Sequence, residues 1–354
     1  MVKQCNPGSI AYIHMQNPEP TFQRMMISFD AQRNGFLAGC RPFVGLDGCH
    51  LKGPFKGVLL SAVALDANSG LYPLAVGICE AENYSSWKWF LRHLANFLKY
   101  PNDKPMTFMS DRQKGVLKAI NTQWPSAKTR FCARHIYANF RLKYSGQKLK
   151  NLFWKASRSC TVYDFNRIMD AIKSTNKDAR IWLDKIDPAY WSKHAFDNSV
   201  KCDHVTNNMT ESFNSMLGEH RAKTYLCLLE HIRRIVMKRF QERKEQCARW
   251  NCELPPIVNA KIIKASIKSR LLKMLSAGNG EYELLGETQA YVTKLNLRSC
   301  ECGVWQVSGV PCSHALAGIK NIINMLFTMH LFYYYGYRLK LHLYFTCMHM
   351  SYCA

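Results

Sequence analysis

The chain has 354 residues, 47% of them hydrophobic and 12% aromatic, which excludes a disordered composition and leaves room for more than one domain. Lys and Arg number 48 against 25 Asp and Glu, a formal net charge of +23, beyond the magnitude of about 2–8 that solubility asks of a small domain. Such an excess points to a polyanionic partner, nucleic acid above all, because neutralised phosphates release their counterions. Met1 to Ile27 shows no cationic start followed by a continuous apolar stretch, so no secretory leader is expected. The 15 scattered cysteines then read as reduced thiols plus a metal site. The most membrane-like stretch, Ile322 to Tyr337, is shorter than the roughly 20 residues of a span and is interrupted by His330.

In chain order, Phe43 to Cys49 (FVGLDGC), Gly57 to Leu65 (GVLLSAVAL) and Leu71 to Cys79 (LYPLAVGIC) are short apolar runs separated by Gly-Pro and Asn-Ser-Gly, which predicts three strands, the last two a hairpin. Trp87, Phe90, Leu91, Leu94 and Leu98 fall at helical spacing within Ser85 to Tyr100. A fourth strand at Met106 to Met109 runs into Asp111, a helix follows over Lys114 to Thr122, a fifth strand over Thr129 to Cys132, and a helix over His135 to Lys143. The order β-β-β-α-β-α-β-α predicts an α/β domain with a mixed sheet. From about Gln147 to Asn198 the spacing turns helical, with Trp154, Trp182 and Trp191 available for a helical layer, and a further helix is expected around Asn208 to His220. Residues 221–275 hold fourteen Lys and Arg against four Asp and Glu. There Leu226, Leu229, Ile232, Val236 and Phe240 make an apolar stripe, with Arg233, Arg234, Arg239 and Arg243 off it, a solvated helix face or a nucleic-acid contact.

The chemistry is densest near the C-terminus. Cys300, Cys302, Cys312 and His314 are spaced Cys-x-Cys, nine residues, Cys-x-His. Three thiolates and an imidazole are the ligand set of a closed, structural Zn²⁺ tetrahedron. Cys300 and Cys302 face one side of an extended strand, Ser308-Gly309 and Pro311 turn the chain back, and His314 opens a helix. The expected order is strand, turn, strand, ligand pair, helix. SCECGVWQVSGVPCSHALAGI (299–319) resembles a SWIM-type zinc finger at all four ligand positions.

Two aspartates stand where predicted strands run out, Asp47 in LDGCHLKG and Asp111 in MSDRQKG. Carboxylates on neighbouring strands can hold two Mg²⁺ ions for phosphoryl transfer, which normally takes a third acid. Glu211 in NNMTESFNSM is the candidate and Glu82 in EAENYSSW the rival. An aspartate after a strand is also a common turn former or helix cap, a role open to Asp111 ahead of Lys114.

DGCHLKGPFKGVLLSAVALDANSGLYPLAVGICEAENYSSWKWFL, MSDRQKGVLKAI, CARHIYANF and TESFNSML, in this order and followed by the SWIM-like segment, resemble the core of plant Mutator-like element (MULE) transposases over roughly Phe22 to Ile319. The resemblance implies a ribonuclease-H-like mixed sheet with an all-α insertion, then a basic helical region and a small zinc-binding ββα module. It implies Asp47, Asp111 and Glu211 as the acidic triad, Mg²⁺ or Mn²⁺ as catalytic cofactor, and Cys132 and His135 as the family's C-x-x-H element, metal ligands or a packing pair at a helix start. The expected boundaries are a remnant or linker at 1–42, the transposase domain at 43–220 with its insertion at about 146–206, the basic helices at 221–286, the finger at 287–320, and a tail at 321–354 outside any folded domain. An N-terminal DNA-binding module found in the family is expected to be missing.

The function implied is that of a nuclear, transposase-derived protein that binds zinc and DNA, with DDE-type metal-dependent DNA cleavage and strand transfer. The alternative is a non-catalytic, domesticated relative of the far-red-response type that binds DNA or regulates transcription. Protein partners through the finger and an oligomeric assembly are compatible with either.

Overall fold

The computed structural model describes residues 2–286 and 289–322; the expected tail lies outside the described residues from 323 on. Two compact units form among the described residues: 2–129 with Asn207–Glu253, and Arg130–Thr206 with 254–322. No described helix is long and apolar enough to cross a membrane.

The first unit runs α1 (Val2–Cys5), β1 (Ile10–Gln16), β2 (Thr21–Ser28), α2 (Asp30–Gly39), β3 (Cys40–His50), β4 (Val58–Asp66), β5 (Leu71–Cys79), α3 (Tyr84–Leu98), β6 (Thr107–Ser110), α4 (Lys114–Gln123) and β7 (Lys128–Phe131), whose last residues begin the second unit. Its mixed sheet has the order β1-β2-β5-β4-β3-β6-β7. β3, β4 and β5 are antiparallel, while β3 and β6 pair in parallel. Every residue of β4 and β5 is buried, which is why both read as unbroken apolar runs rather than alternating ones.

Residues 1–42 are not a linker: β1 and β2 pair with each other and β2 with β5, extending the sheet by two strands. They escaped a sequence reading because β1 is largely exposed and has no apolar run. Arg24 on β2 fixes the junction by a bidentate pair with Glu80 and a hydrogen bond to the Ser85 carbonyl.

The second unit begins with α5 (Ala133–Lys143), α6 (Gln147–Arg158), α7 (Val162–Thr175) and α8 (Lys177–Asp184). Its core holds Phe140, Phe153, Phe165 and Trp191, with Phe153 and Trp191 stacked at 5.4 Å. The chain then returns to the first unit for α9 (Asn208–Met216) and α10 (Tyr225–Ala248). The apolar stripe of α10 starts later than expected, since Leu226 is exposed while Leu228, Leu229, Ile232, Val236 and Phe240 are buried.

The second unit closes with α11 (Pro256–Ser269), β8 (Lys273–Gly278), β9 (Glu281–Leu285), β10 (Ala290–Lys294), β11 (Ser299–Cys300), α12 (Val304–Ser308) and α13 (Ser313–Ile322). Its antiparallel sheet is ordered β11-β10-β9-β8. The basic region is therefore not helical throughout 221–286. Gly278, Asn279 and Gly280 all take positive φ, a hairpin turn that joins β8 to β9. The zinc-bearing module is a four-stranded sheet with two helices, larger than ββα. Among the described residues twelve cysteines carry free thiols, and Cys5 is disulfide-bonded, which the expectation of reduced thiols plus a metal site did not include.

Candidate metal centre and the acidic edge of the sheet

Cys300, Cys302, Cys312 and His314 converge, their ligand atoms all within 4.8 Å of one another. Cys300 Sγ and His314 Nδ1 are 3.6 Å apart, close to the edge of about 3.5–3.8 Å that Zn–S of 2.3 Å and Zn–N of about 2.0–2.1 Å give a tetrahedron. The local path differs from two strands. β11 ends at Cys300, and a turn closed by Gly303 N–H donating to the Cys300 carbonyl at 2.9 Å carries Cys302. Gly303 has φ 72, and a Cβ there would lie 2.1 Å from the Cys160 carbonyl oxygen, so this knuckle is seated on the helical insertion as only glycine allows. α12 replaces the expected second strand, and Gly309 at φ 74 ends it. Cys312 precedes α13, and its Sγ accepts from the Ala315 N–H at 3.4 Å.

The electrostatics ask for a cation. Cys300, Cys302 and Cys312 are buried. Hydrogen bonds from Cys302 and Cys312 drive the Cys300 thiol far below its ordinary value. The bond to Cys300 pushes Cys302 far up and Cys312 up to about 12. Three buried thiolates cannot coexist unaided, and a divalent cation that replaces their protons removes the conflict. Soft donors in a tetrahedron with no open position fit structural zinc. Gln306 braces the site: its Oε1 accepts from the Cys300 N–H at 3.2 Å and its Nε2 donates to the Cys300 carbonyl at 2.8 Å. Tyr291 lies over the His314 ring at 4.4 Å.

In the first unit the acids line one edge of the sheet. Asp47 is not at a strand end, for β3 continues to His50 and Asp47 pairs with Ser61 of β4. The parallel register Phe43↔Thr107, Val44↔Phe108, Gly45↔Met109 puts Asp47 on β3 and Asp111, one residue past the end of β6, at the same offset beyond the last pair. Asp111 is no helix cap: the Gln113 side chain caps α4, and Asp111 Oδ1 accepts from the Gln113 N–H at 3.1 Å. α9 lies against β3, with Asn207 Nδ2 donating to the Leu46 carbonyl at 3.0 Å and Asn214 Nδ2 donating to Asp47 Oδ2 at 2.9 Å. Glu211 sits between those two residues on the helix, one turn from each, and is half-buried.

Glu82 belongs to the same edge. Its carboxylate is so close to Gly48 that a Cβ there would lie 2.7 Å from it, and it accepts from Trp87 Nε1 at 3.3 Å. Burial, then the charge of Asp111, holds its pKa above the ordinary value. Among the described residues, Asp47, Asp111 and Glu211 are not drawn into one group with all ligand atoms within 4.8 Å. In the second unit Cys132 is the buried N-cap of α5, and His135 follows one turn on, its N–H donating to the Cys132 carbonyl at 3.0 Å.

A family model described as the MULE transposase domain matches residues 43–139, and a second, the SWIM zinc finger, matches 284–317. The chain carries a MULE transposase domain and a SWIM zinc finger. No curated protein matches it. The MULE match contains Asp47, Glu82, Asp111, Cys132 and His135 but stops before Glu211, and the SWIM match contains all four zinc ligands. The chain is thus transposase-derived and zinc-binding.

Sequence reasoning missed Gln306, Asn207 and Asn214, which act through backbone and carboxylate hydrogen bonds and leave no spacing signature. It also overcounted free cations on α10. Only Arg234 of the four arginines is exposed, while Arg233 pairs with Glu230 at 2.7 Å and Arg243 with Asp66 at 3.1 Å.

Proposed function

We propose that the MULE domain is a metal-dependent DNA strand-transferase of the ribonuclease-H-like type, acting in the nucleus with Asp47, Asp111 and Glu211 as its acids. The observation that supports this reading is the parallel β3–β6 register, which runs toward Asp47 on β3 and toward Asp111 just past β6, while the Asn214 hydrogen bond ties the helix of Glu211 to Asp47. The donor set is all carboxylate oxygen, which suits Mg²⁺ or Mn²⁺ rather than a soft metal. A divalent ion held there would activate a water or 3′-hydroxyl and stabilise the leaving oxygen. The chain's own part is to orient the Asp47 carboxylate through Asn214 and to hold Glu82, next to Gly48, as a further acid at the same edge. The basic surface supplies the attraction for DNA, and the zinc finger offers a second contact, to DNA or to protein.

The test is nicking of supercoiled plasmid by the purified chain in Mn²⁺ or Mg²⁺. Nicking that disappears in Asp47→Asn and Asp111→Asn supports the reading, and nicking that survives either substitution overturns it. Loss in Glu211→Gln with retention in Glu82→Gln assigns the third acid to Glu211, and the reverse assigns it to Glu82. The alternative is a non-catalytic DNA-binding relative of the far-red-response type, which predicts DNA retention in gel shifts with no metal-dependent nicking by the wild-type chain.

A further inference from the structure

We propose that a cavity between the β4–β5 turn and α10 is a binding site for a phosphate group, either a DNA phosphodiester or a free oxyanion. The cavity has a volume of about 180 Å³ and is lined by Asp66, Asn68 and Gly70 from the turn, by Arg239 and Arg243 from α10, and by Trp250 just past its end. Arg239 and Arg243 are four apart, so they share one face of α10. Asp66 lies five residues past Ser61, the partner of Asp47, about 17 Å along the strand, and pairs with Cys40 at the far end of β3. The site is therefore remote from the acids described above.

The cavity wall holds a buried donor without an acceptor. Asp66 is fully engaged: Oδ2 is 3.1 Å from Arg243 Nη1, and Oδ1 accepts from the Gly70 N–H at 2.6 Å. Arg243 Nη2 donates to the Leu71 carbonyl. Among the described residues Arg239 has no ion pair, although the charges of Glu242 and Asp66 act on it; its Nη1 donates to the Met216 sulfur at 3.6 Å. Glu242, also at the cavity, is exposed and is paired to Lys238 at 3.9 Å. Arg239 Nε is buried with no hydrogen-bond partner among the described residues, while Arg243 Nη1 is held by its ion pair with Asp66. Buried donors are nearly always satisfied, and a buried charged one is costly to leave unmet. Desolvation, with the neighbouring Arg243 charge, lowers the Arg239 pKa, which a bound anion would reverse. Two guanidinium groups line one cavity with Asp66 and Glu242, and the Nε donor of Arg239 is left unmet. A tetrahedral oxyanion offers acceptors in several directions and can meet that donor while it faces the second guanidinium. At about 30 Å³ per water, the cavity has room for one phosphate group.

The test uses the full chain with its zinc and does not need the strand-transfer reading to hold. First, thermal unfolding is followed with inorganic phosphate titrated against chloride at equal ionic strength. The wild-type midpoint rises with phosphate, the rise is absent in Arg239→Gln, and it persists in Arg234→Gln, an exposed position on the same helix. Arg239→Lys keeps the charge and loses the Nε donor; it serves if the Gln variant does not fold and is expected to weaken the response several-fold. Second, duplex DNA affinity is measured over a salt series. If the occupant is a DNA phosphate, Arg239→Gln lowers the slope of log affinity against log salt by about 1. An unchanged slope with the phosphate response intact assigns the site to a free anion. No phosphate-specific rise in the wild-type chain, or a rise that Arg239→Gln and Arg239→Lys leave untouched, overturns the proposal and leaves a water-filled cavity.

Discussion

Gly45 carries more of the transposase edge than its size suggests. It lies in β3 beneath α9, and a Cβ there would fall 2.1 Å from Asn207 Oδ1 and 2.6 Å from Met209 Cε. Gly45→Ala forces the helix off the strand, and overpacking of this kind costs about 1–3 kcal/mol, to be read as a lowered urea midpoint at constant slope. Glu82 makes a prediction in pH. Burial and Asp111 hold its folded pKa above the ordinary 4.5, so the folded chain binds this proton more tightly than the unfolded chain does. The stability linked to Glu82 is present below pH 4.5 and lost as pH rises through the raised value. Glu82→Gln, which keeps an acceptor for Trp87, should therefore gain on the wild type in denaturant midpoint as pH rises toward neutrality. A difference that does not change with pH would show that the carboxylate is not held in this way.

At the scale of elements, α3 is the piece that presents Glu82, and its start is set by Asn83, whose side chain accepts from the Ser86 N–H at 3.0 Å. Asn83→Ala removes that cap at a cost of about 1 kcal/mol, measurable by equilibrium unfolding. The elements legible in the sequence were those with a strong pattern. β4 and β5 are continuous apolar runs because both faces are covered, and α3 shows a clear period because only one of its faces is. β1 and β2 were lost because an exposed hairpin needs no apolar run to pair at a sheet edge. β8 and β9 were lost because basic residues around Lys273 masked a Gly-Asn-Gly turn. Asp47 was read as a strand end because Gly48 follows it, whereas pairing with β4 carries the strand through His50. The four zinc ligands were legible in full from spacing alone. The acids were legible as types but not as a set, since whether Glu82 or Glu211 completes them depends on how α3 and α9 approach β3, which no local pattern encodes.

At the largest scale, each unit has a core of its own, and the Cys300, Cys302, Cys312 and His314 cluster belongs to the second. The first unit buries all of β4 and β5. The second packs Phe140, Phe153, Phe165 and Trp191 among its helices, and around the cluster it buries Cys300, Cys302, Cys312 and Ala315, with Leu284, Val310 and Leu316 buried nearby in the chain. Three of those core positions are the thiol ligands themselves, and for structural zinc metal-ligand bonds supply folding free energy outright. The purified chain should hold one zinc, lost in Cys312→Ala and in His314→Ala, as metal analysis will show. Removing that zinc with a chelator should abolish amide-exchange protection at β10, β11 and α12 first, leave the helical core around Phe153 partly protected, and leave β4 and β5 unchanged. Equal loss of protection in β4 and in the finger would mean that the two cores are not separate cooperative units. Unchanged protection at β11 after complete removal would mean that the packing of Gly303 against Cys160 and the Gln306 clamp, rather than the metal, hold the knuckle closed.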